Sequence, residues 1–273
     1  MEKTFCFIIP RTPRQYRTEF RDFLWRQTVQ SLRNQLYGNW WAIIIGEREE
    51  LGDNRFYFVE QDMVPKKKKL IYALEYLKGM ERMPDYLIRL DDDDLFSAKA
   101  LEQLKNQEAD CLADFYHSFI EIITGKITQQ QRNWLANTVA HKTEHAYQLV
   151  DSSDPESYLL VQDHSQAWQP YYEGLRVHYI NKMEPFYVRI LSPVSITSQA
   201  AGKTGKAAND YLQYLLGFGS WSTKPTEIKG FEKALEGLKD AGAYLPELGM
   251  PEFRFPVLSL LKNQLMEFLR KDY

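Results

Sequence analysis

Four apolar runs near the start of the chain constrain the fold more than any other feature. Phe5–Ile9 (FCFII), Trp40–Ile45 (WWAIII), Phe56–Val59 (FYFV) and Tyr86–Leu90 (YLIRL) lack the polar alternation of a strand with one wet face. An unbroken run is the pattern of a strand buried on both sides, which requires helices over both faces of its sheet. Helical spacing fills the gaps. Phe20, Phe23, Leu24, Leu32 and Leu36 recur over Thr18–Leu36 until Gly38, and Pro65 opens a second helix with Leu70, Ile71, Leu74 and Leu77 on one side. The order strand, helix, strand, strand, helix, strand predicts an α/β fold: a doubly wound, mostly parallel sheet with helices on both faces.

In such sheets ligands bind outside the carboxyl ends of the strands. The loops to inspect are then Pro10–Arg17, Gly46–Asp53, Gln61–Lys69 and Asp91–Ser97, all polar. A net charge of -3 gives no global attraction to nucleic acid or to an anionic membrane, so any anion site is local. Two cysteines, Cys6 and Cys111, form no framework or CxxC spacing. The opening MEKTFCFIIPRTPR reverses the charge order of a secretory leader, and no apolar stretch is long enough to span a bilayer, so the expected location is cytoplasmic.

Four consecutive aspartates, Asp91–Asp94, follow the fourth run. Adjacent carboxylates repel, and hard oxygen ligands one residue apart at a strand end suit Mg²⁺ or Mn²⁺. Asp91 and Asp93 have that spacing; an acidic turn favoured by a following helix dipole is the alternative. Lys66–Lys69 open a helix where the dipole disfavours cations, which points to a nearby anion or a solvated first turn. Arg11, Arg14 and Arg17 follow the first strand. Acid for a metal and base for phosphate together describe a nucleoside-diphosphate site.

FCFIIPRTPR, WWAIIIGE, the lysine-bearing helix and YLIRLDDDDLF, in that order over residues 4–107, resemble the nucleotide-sugar half of GT-A fold glycosyltransferases, the family-2-like group and its rhamnosyltransferase relatives. The resemblance implies metal-assisted transfer of a sugar, with inversion, from a nucleoside-diphosphate donor to the hydroxyl of a glycan or lipid-linked acceptor. It implies donor contacts at Pro10, Arg11, Glu47, Lys67, Asp91 and Asp92, and Mn²⁺ or Mg²⁺ on Asp91 and Asp93; Asp92 has the alternative of pointing the other way, and Asp94 of capping the next helix or bonding the sugar. The implied catalytic base is Asp163, with Glu121 and Asp154 behind it. It further implies a catalytic domain over 1–220, with a donor half (1–107) and an acceptor half (108–220), and a C-terminal helical extension over 221–273. Relatives often carry a late histidine on the metal, but FYVRILSPVSITS has Ser192 and Pro193 there, which leaves His164 or His178, or water, to complete the shell. That departure sustains the alternative of a non-catalytic carbohydrate- or partner-binding protein. A sugar-nucleotide nucleotidyltransferase needs a glycine-rich loop after the first strand, and FIIPRTPRQYR has none.

Other motifs weigh less. HKTEH, His141–His145, matches an inverted zinc-protease pattern without an identifiable third ligand, and a polar surface segment is the favoured reading. Gly202–Thr204 (GKT) lacks the earlier glycine of a P-loop. Val257–Leu269 has an apolar helical stripe ending in Arg270 and Lys271, suited to packing on its own domain or to peripheral membrane contact.

Overall fold

The structure is a computed structural model, and it describes residues 2–122, 125–131, 136–162, 168–192, 215, 221 and 228–244. Its strands are β1 (Phe5–Pro10), β2 (Trp40–Ile45), β3 (Phe56–Val59), β4 (Tyr86–Arg89), β5 (Leu95–Phe96) and β6 (Cys111–Asp114). They continue with β7 (Tyr116–Glu121), β8 (Lys126–Gln131), β9 (Val139–Lys142), β10 (Val177–Ile180) and β11 (Tyr187–Leu191). The helices are α1 (Glu19–Arg33), α2 (Lys66–Lys78), α3 (Ala100–Leu104), α4 (Thr143–Ala146), α5 (Trp168–Tyr171) and α6 (Glu232–Gly237).

The main sheet has seven strands in the order β10-β6-β9-β4-β1-β2-β3. Only β9 runs against its neighbours, β4 and β6; the other pairings are parallel. Successive residues of β1 serve different cores, as pleating requires. Phe5, Phe7 and Ile9 pack with Trp25, Val29 and Leu32 of α1 and with Leu101 of α3. Cys6 and Ile8 pack with Leu70, Ile71 and Leu74 of α2. This two-sided burial is the physical reason for the unbroken runs of β1, β2 and β4, and the mixed α/β fold with a mostly parallel sheet is as expected; β3, at the sheet edge, is not buried on both faces, and Tyr57 stands exposed. A second sheet, β5-β11-β7-β8, lies beside the first and is covered by Phe20, Phe23 and Leu24 of α1 together with Ala234 and Leu238 at α6.

Boundaries differ where caps and packing intervene. The Thr18 hydroxyl accepts from the Arg21 N–H and starts α1, which ends at Arg33, earlier than Leu36; Leu36 stands exposed. HKTEH is not a polar surface segment: its first half lies in β9, where His141 is fully buried with Nδ1 2.7 Å from the Tyr172 hydroxyl. Antiparallel pairing on both sides of β9 covers a sequence too polar to announce a central strand. The Gly202–Thr204 loop and the Val257–Leu269 helix lie outside the described residues. Among the described residues no helix is long and apolar enough to cross a membrane.

The chain leaves β1 for β2 on one side and reaches β4 on the other, so the carboxyl ends of β1 and β4 flank the point where the winding reverses. Gly46, just past β2, permits the close approach that this end needs: a Cβ there would lie 2.7 Å from Arg11 Cβ. Gly46→Ala is expected to cost about 1–3 kcal/mol through overpacking, read as a lower urea midpoint at unchanged slope; an unchanged midpoint would show that this contact relaxes freely.

Candidate active site

Two loops meet at that reversal, Pro10–Thr12 after β1 and Asp91–Asp94 after β4. They line a cleft of about 480 Å³ together with residues of α1, the start of α2, and β11. Arg11 occupies its floor. The guanidinium is buried against three carboxylates, Asp22 at 2.6 Å, Asp92 at 2.8 Å and Glu49 at 3.2 Å, and lies over the Trp25 ring. Burial alone would lower its pKa; the carboxylates, Asp92 foremost, reverse this and raise it. Asp92 also accepts from the Thr12 N–H at 2.7 Å and the Thr12 hydroxyl at 3.0 Å. Asp92 is thereby committed to binding one loop to the other.

Asp94 is committed as well. Its carboxylate accepts from the Tyr187 hydroxyl and from the Ile190 N–H at 2.8 Å, and its carbonyl accepts from the Thr28 hydroxyl at 2.8 Å. These bonds tie the acidic turn to β11 and α1. Burial pushes the Asp94 carboxyl well above the usual carboxylate range, and the neighbouring Asp93 and Asp91 push it further.

Asp91 and Asp93, the alternate pair, keep partial access to the cleft, with side-chain exposures of 26% and 21%. Lys66 Nζ lies 2.7 Å from Asp91, and Arg21 Nη1 lies 3.5 Å from Asp93. Burial opposes ionisation of Asp91, yet Lys66 and Arg89 hold its carboxyl well below the usual range. Burial pushes Asp93 up to about 6; Arg21 opposes this, and Asp92 and Asp91 reinforce it. Two hard carboxylates in one cleft, the second raised first by burial and then by its neighbours' negative charge, are a donor set that fits Mg²⁺ or Mn²⁺.

The other expected residues divide. Pro10 and Arg11 line the cleft, and the Arg11 guanidinium is paired with protein carboxylates. Glu47 pairs with Arg14 at 2.9 Å and Arg17 at 3.2 Å and is not part of the lining. Lys67 turns away to Asp154, 3.5 Å distant, while its neighbours Lys66 and Lys69 line the cleft. Buried Lys69 donates to the Arg11 carbonyl at 2.6 Å, and burial lowers its pKa. Asp154 thus lies outside the cleft, and Glu121 is buried in β7. Asp163 and His164 lie outside the described residues. Gln162, immediately before them, accepts a hydrogen bond at 3.1 Å from Arg89, which lines the cleft. His178 lies on β10, three strands from β4, about 14 Å at ordinary strand spacing, and does not complete a shell on Asp91.

Sequence reasoning missed Arg21, Arg89, Asn137, Tyr187 and Arg189 among the lining residues. Arg89 and Arg189 carried a usable signal, since an arginine within an apolar strand is rarely buried without a task. Arg21 reads as an ordinary helix residue, and Asn137 and Tyr187 carry no local mark.

No family model matches the chain, and no curated protein matches it. Solved structures give likenesses of chain path. Staphylococcus aureus TarS, residues 1–349, is 11% identical at a TM-score of 0.42, covering 94% of this chain and 74% of that one. The inositol-1-phosphate CTP transferase of T. maritima is 14% identical at a TM-score of 0.38, covering 80% and 100%. The apo-form glycosyltransferase GlyE of Streptococcus pneumoniae TIGR4 is 5% identical at a TM-score of 0.37, covering 78% and 64%. Function is therefore read from the cleft itself.

Asp93 gives the cleft a pH signature. With its native pKa near 6 against an ordinary 3.8, the fold holds this proton more tightly than the unfolded chain does. Its contribution to stability is therefore present at low pH and is lost as pH rises through 6. Asp93→Asn, a mimic of the protonated form, is expected to match wild type near pH 4 and to exceed it at pH 8, by chemical denaturation in EDTA. Equal stability of the two proteins across that range would contradict the assignment.

Proposed function

We propose that the cleft binds a nucleoside-diphosphate sugar and that the protein is a metal-assisted glycosyltransferase acting on an acceptor hydroxyl, with inversion at the sugar. The observation that carries this reading is the division of the acidic run: all four aspartates line the cleft, but Asp92 and Asp94 are buried and hydrogen-bonded by the fold, while Asp91 and Asp93 keep partial exposure beside Lys66, Arg21 and Arg189. Carboxylates for a divalent cation beside cations for phosphate are the complement of a metal diphosphate.

Asp91 and Asp93 would hold Mn²⁺ or Mg²⁺, and the metal, when bound, would supply charge stabilisation to the departing nucleoside diphosphate. The chain's own groups do the rest. Arg21 and Arg189 face the developing phosphate charge with little freedom to reorient, Arg21 being buried, which favours electrostatic stabilisation without reorganisation at the moment of reaction. Lys66, half exposed, can leave Asp91 for a phosphate oxygen when a metal takes its place. Asp163 is the proposed base for the acceptor hydroxyl, supported by the hydrogen bond that holds Gln162 to Arg89 at the cleft.

Thermal melting with Mn²⁺ and UDP, dTDP or GDP tests this reading. At a ligand concentration a hundredfold above Kd, binding stabilises by about 2.7 kcal/mol, a rise of roughly 5–10 °C for a chain of this size. The shift is expected with one nucleotide, to require the metal and to vanish in Asp93→Ala; release of nucleoside diphosphate from the matching sugar donor then separates an enzyme from a binding protein. A folded sample that shifts with none of the pairs would contradict the proposal.

A further inference from the structure

The remaining half of HKTEH leads to a second site. We propose that Asp110, Glu144 and His145 bind a divalent transition-metal ion of the zinc class, at the pole of the sheet opposite the cleft. Asp110 precedes β6, which runs parallel to β4, and Glu144 and His145 follow β9, which runs antiparallel to it. All three therefore sit at the amino ends of β4 and β6, whereas Asp91 follows the carboxyl end of β4. This proposal does not depend on the function assigned to the cleft.

Asp110 Oδ1 lies 3.5 Å and Glu144 Oε1 4.0 Å from His145 Nε2, and the three donor atoms are all within 4.8 Å of one another. Ligands about 2.1 Å from a tetrahedral ion are about 3.4 Å apart, so closing around a metal needs only a small movement, most of it by the exposed Glu144. Among the described residues, His145 Nδ1 is 3.0 Å from the Tyr171 hydroxyl, while Nε2 is shielded from solvent and faces only the Asp110 carboxylate at 3.5 Å and Glu144 at 4.0 Å. A ring held through one nitrogen, with the other aimed at two carboxylates, has the arrangement of a metal ligand with its outer partner in place.

The scaffold is rigid. The Asp110 carbonyl accepts from the Lys142 N–H at 3.1 Å, and Asp110 Oδ2 accepts from the Arg176 N–H at 2.9 Å, which leaves Oδ1 toward the histidine. The Lys142 ammonium, 2.6 Å from Glu144 Oε1, is the present counter-charge; both side chains are exposed, so a metal can displace it. One imidazole and two carboxylates select zinc-class ions over calcium or magnesium, with water in the fourth position. His141 takes no part, because its ring is committed to Tyr172 in the core. The sequence motif thus supplies two ligands, and the third comes from a residue more than thirty positions earlier, which spacing alone did not reveal.

The test uses the Asp91→Asn/Asp93→Asn protein, stripped with EDTA, so that the cleft contributes no carboxylate pair. Titration with Co²⁺, followed by its visible absorption, and with Zn²⁺, followed by calorimetry and melting temperature, is expected to show one ion per chain and a stabilised fold. His145→Ala is expected to abolish binding, and Tyr171→Phe to weaken it about tenfold. Glu144→Gln, at an exposed position that leaves folding intact, is expected to weaken it at least as much. No binding of either ion by the cleft-silenced protein, or binding unchanged by Glu144→Gln or His145→Ala, would overturn the proposal.

Discussion

Everything at the cleft depends on one buried guanidinium. Arg11 stands just past the end of β1 with its charge removed from water, and the carboxylates of Asp22, Asp92 and Glu49 make that tolerable. Such a group holds its neighbours to strict positions, because a buried ion that loses a partner is costly. It joins the loop after β1 to the turn after β4 and to α1, and Gly46 lets β2 close against it. The cleft wall is thus set by an ion cluster that a ligand need not touch.

That constraint explains how the aspartate run is used. A tight turn cannot point four neighbouring carboxylates one way. Alternation sends Asp92 inward to Arg11 and Thr12, and Asp94 inward to Tyr187 and the backbone of β11. The other two keep partial exposure in the cleft, where Lys66 and Arg89 hold Asp91 ionised while Arg21 only partly balances Asp93. Asp93, pushed to about 6, records the residual strain in its proton affinity. Proteins often concentrate unfavourable charge where a ligand will later relieve it. Here the same turn supplies both the anchors and the surplus.

The sheet was legible because burial on two faces leaves a plain mark: β1 and β2 are apolar throughout and β4 is apolar but for Arg89, and their order with α1 and α2 specifies the winding. The place of the cleft followed from that winding, and residue alternation anticipates the partial exposure of Asp91 and Asp93 against the burial of Asp92 and Asp94. What could not be read were the contacts made at long range. That the Arg11 guanidinium is held by protein carboxylates depends on Glu49 and Asp92, 38 and 81 positions away. Which of four adjacent lysines faces the cleft depends on the angle at which α2 leaves its loop, a tertiary property. β9 escaped notice because its burial comes from neighbours on both sides and not from its own hydrophobicity.

The central claim is that two aspartates of the run build the fold and two serve the cleft, and unfolding free energies of the four single Asp→Asn variants, measured side by side in EDTA at pH 8, test it most directly. Asp92→Asn is expected to lose about 3–5 kcal/mol as an ion pair is broken in the interior, and Asp94→Asn about 1–3 kcal/mol as an amide nitrogen replaces one of the two oxygens that accept from Tyr187 and Ile190. Asp93→Asn is expected to equal or exceed wild type, because it removes a charge the fold disfavours, and Asp91→Asn to lose stability but less than Asp92→Asn, because its partner Lys66 is half exposed and regains water. Four losses of similar size, or losses confined to Asp91 and Asp93, would contradict the account.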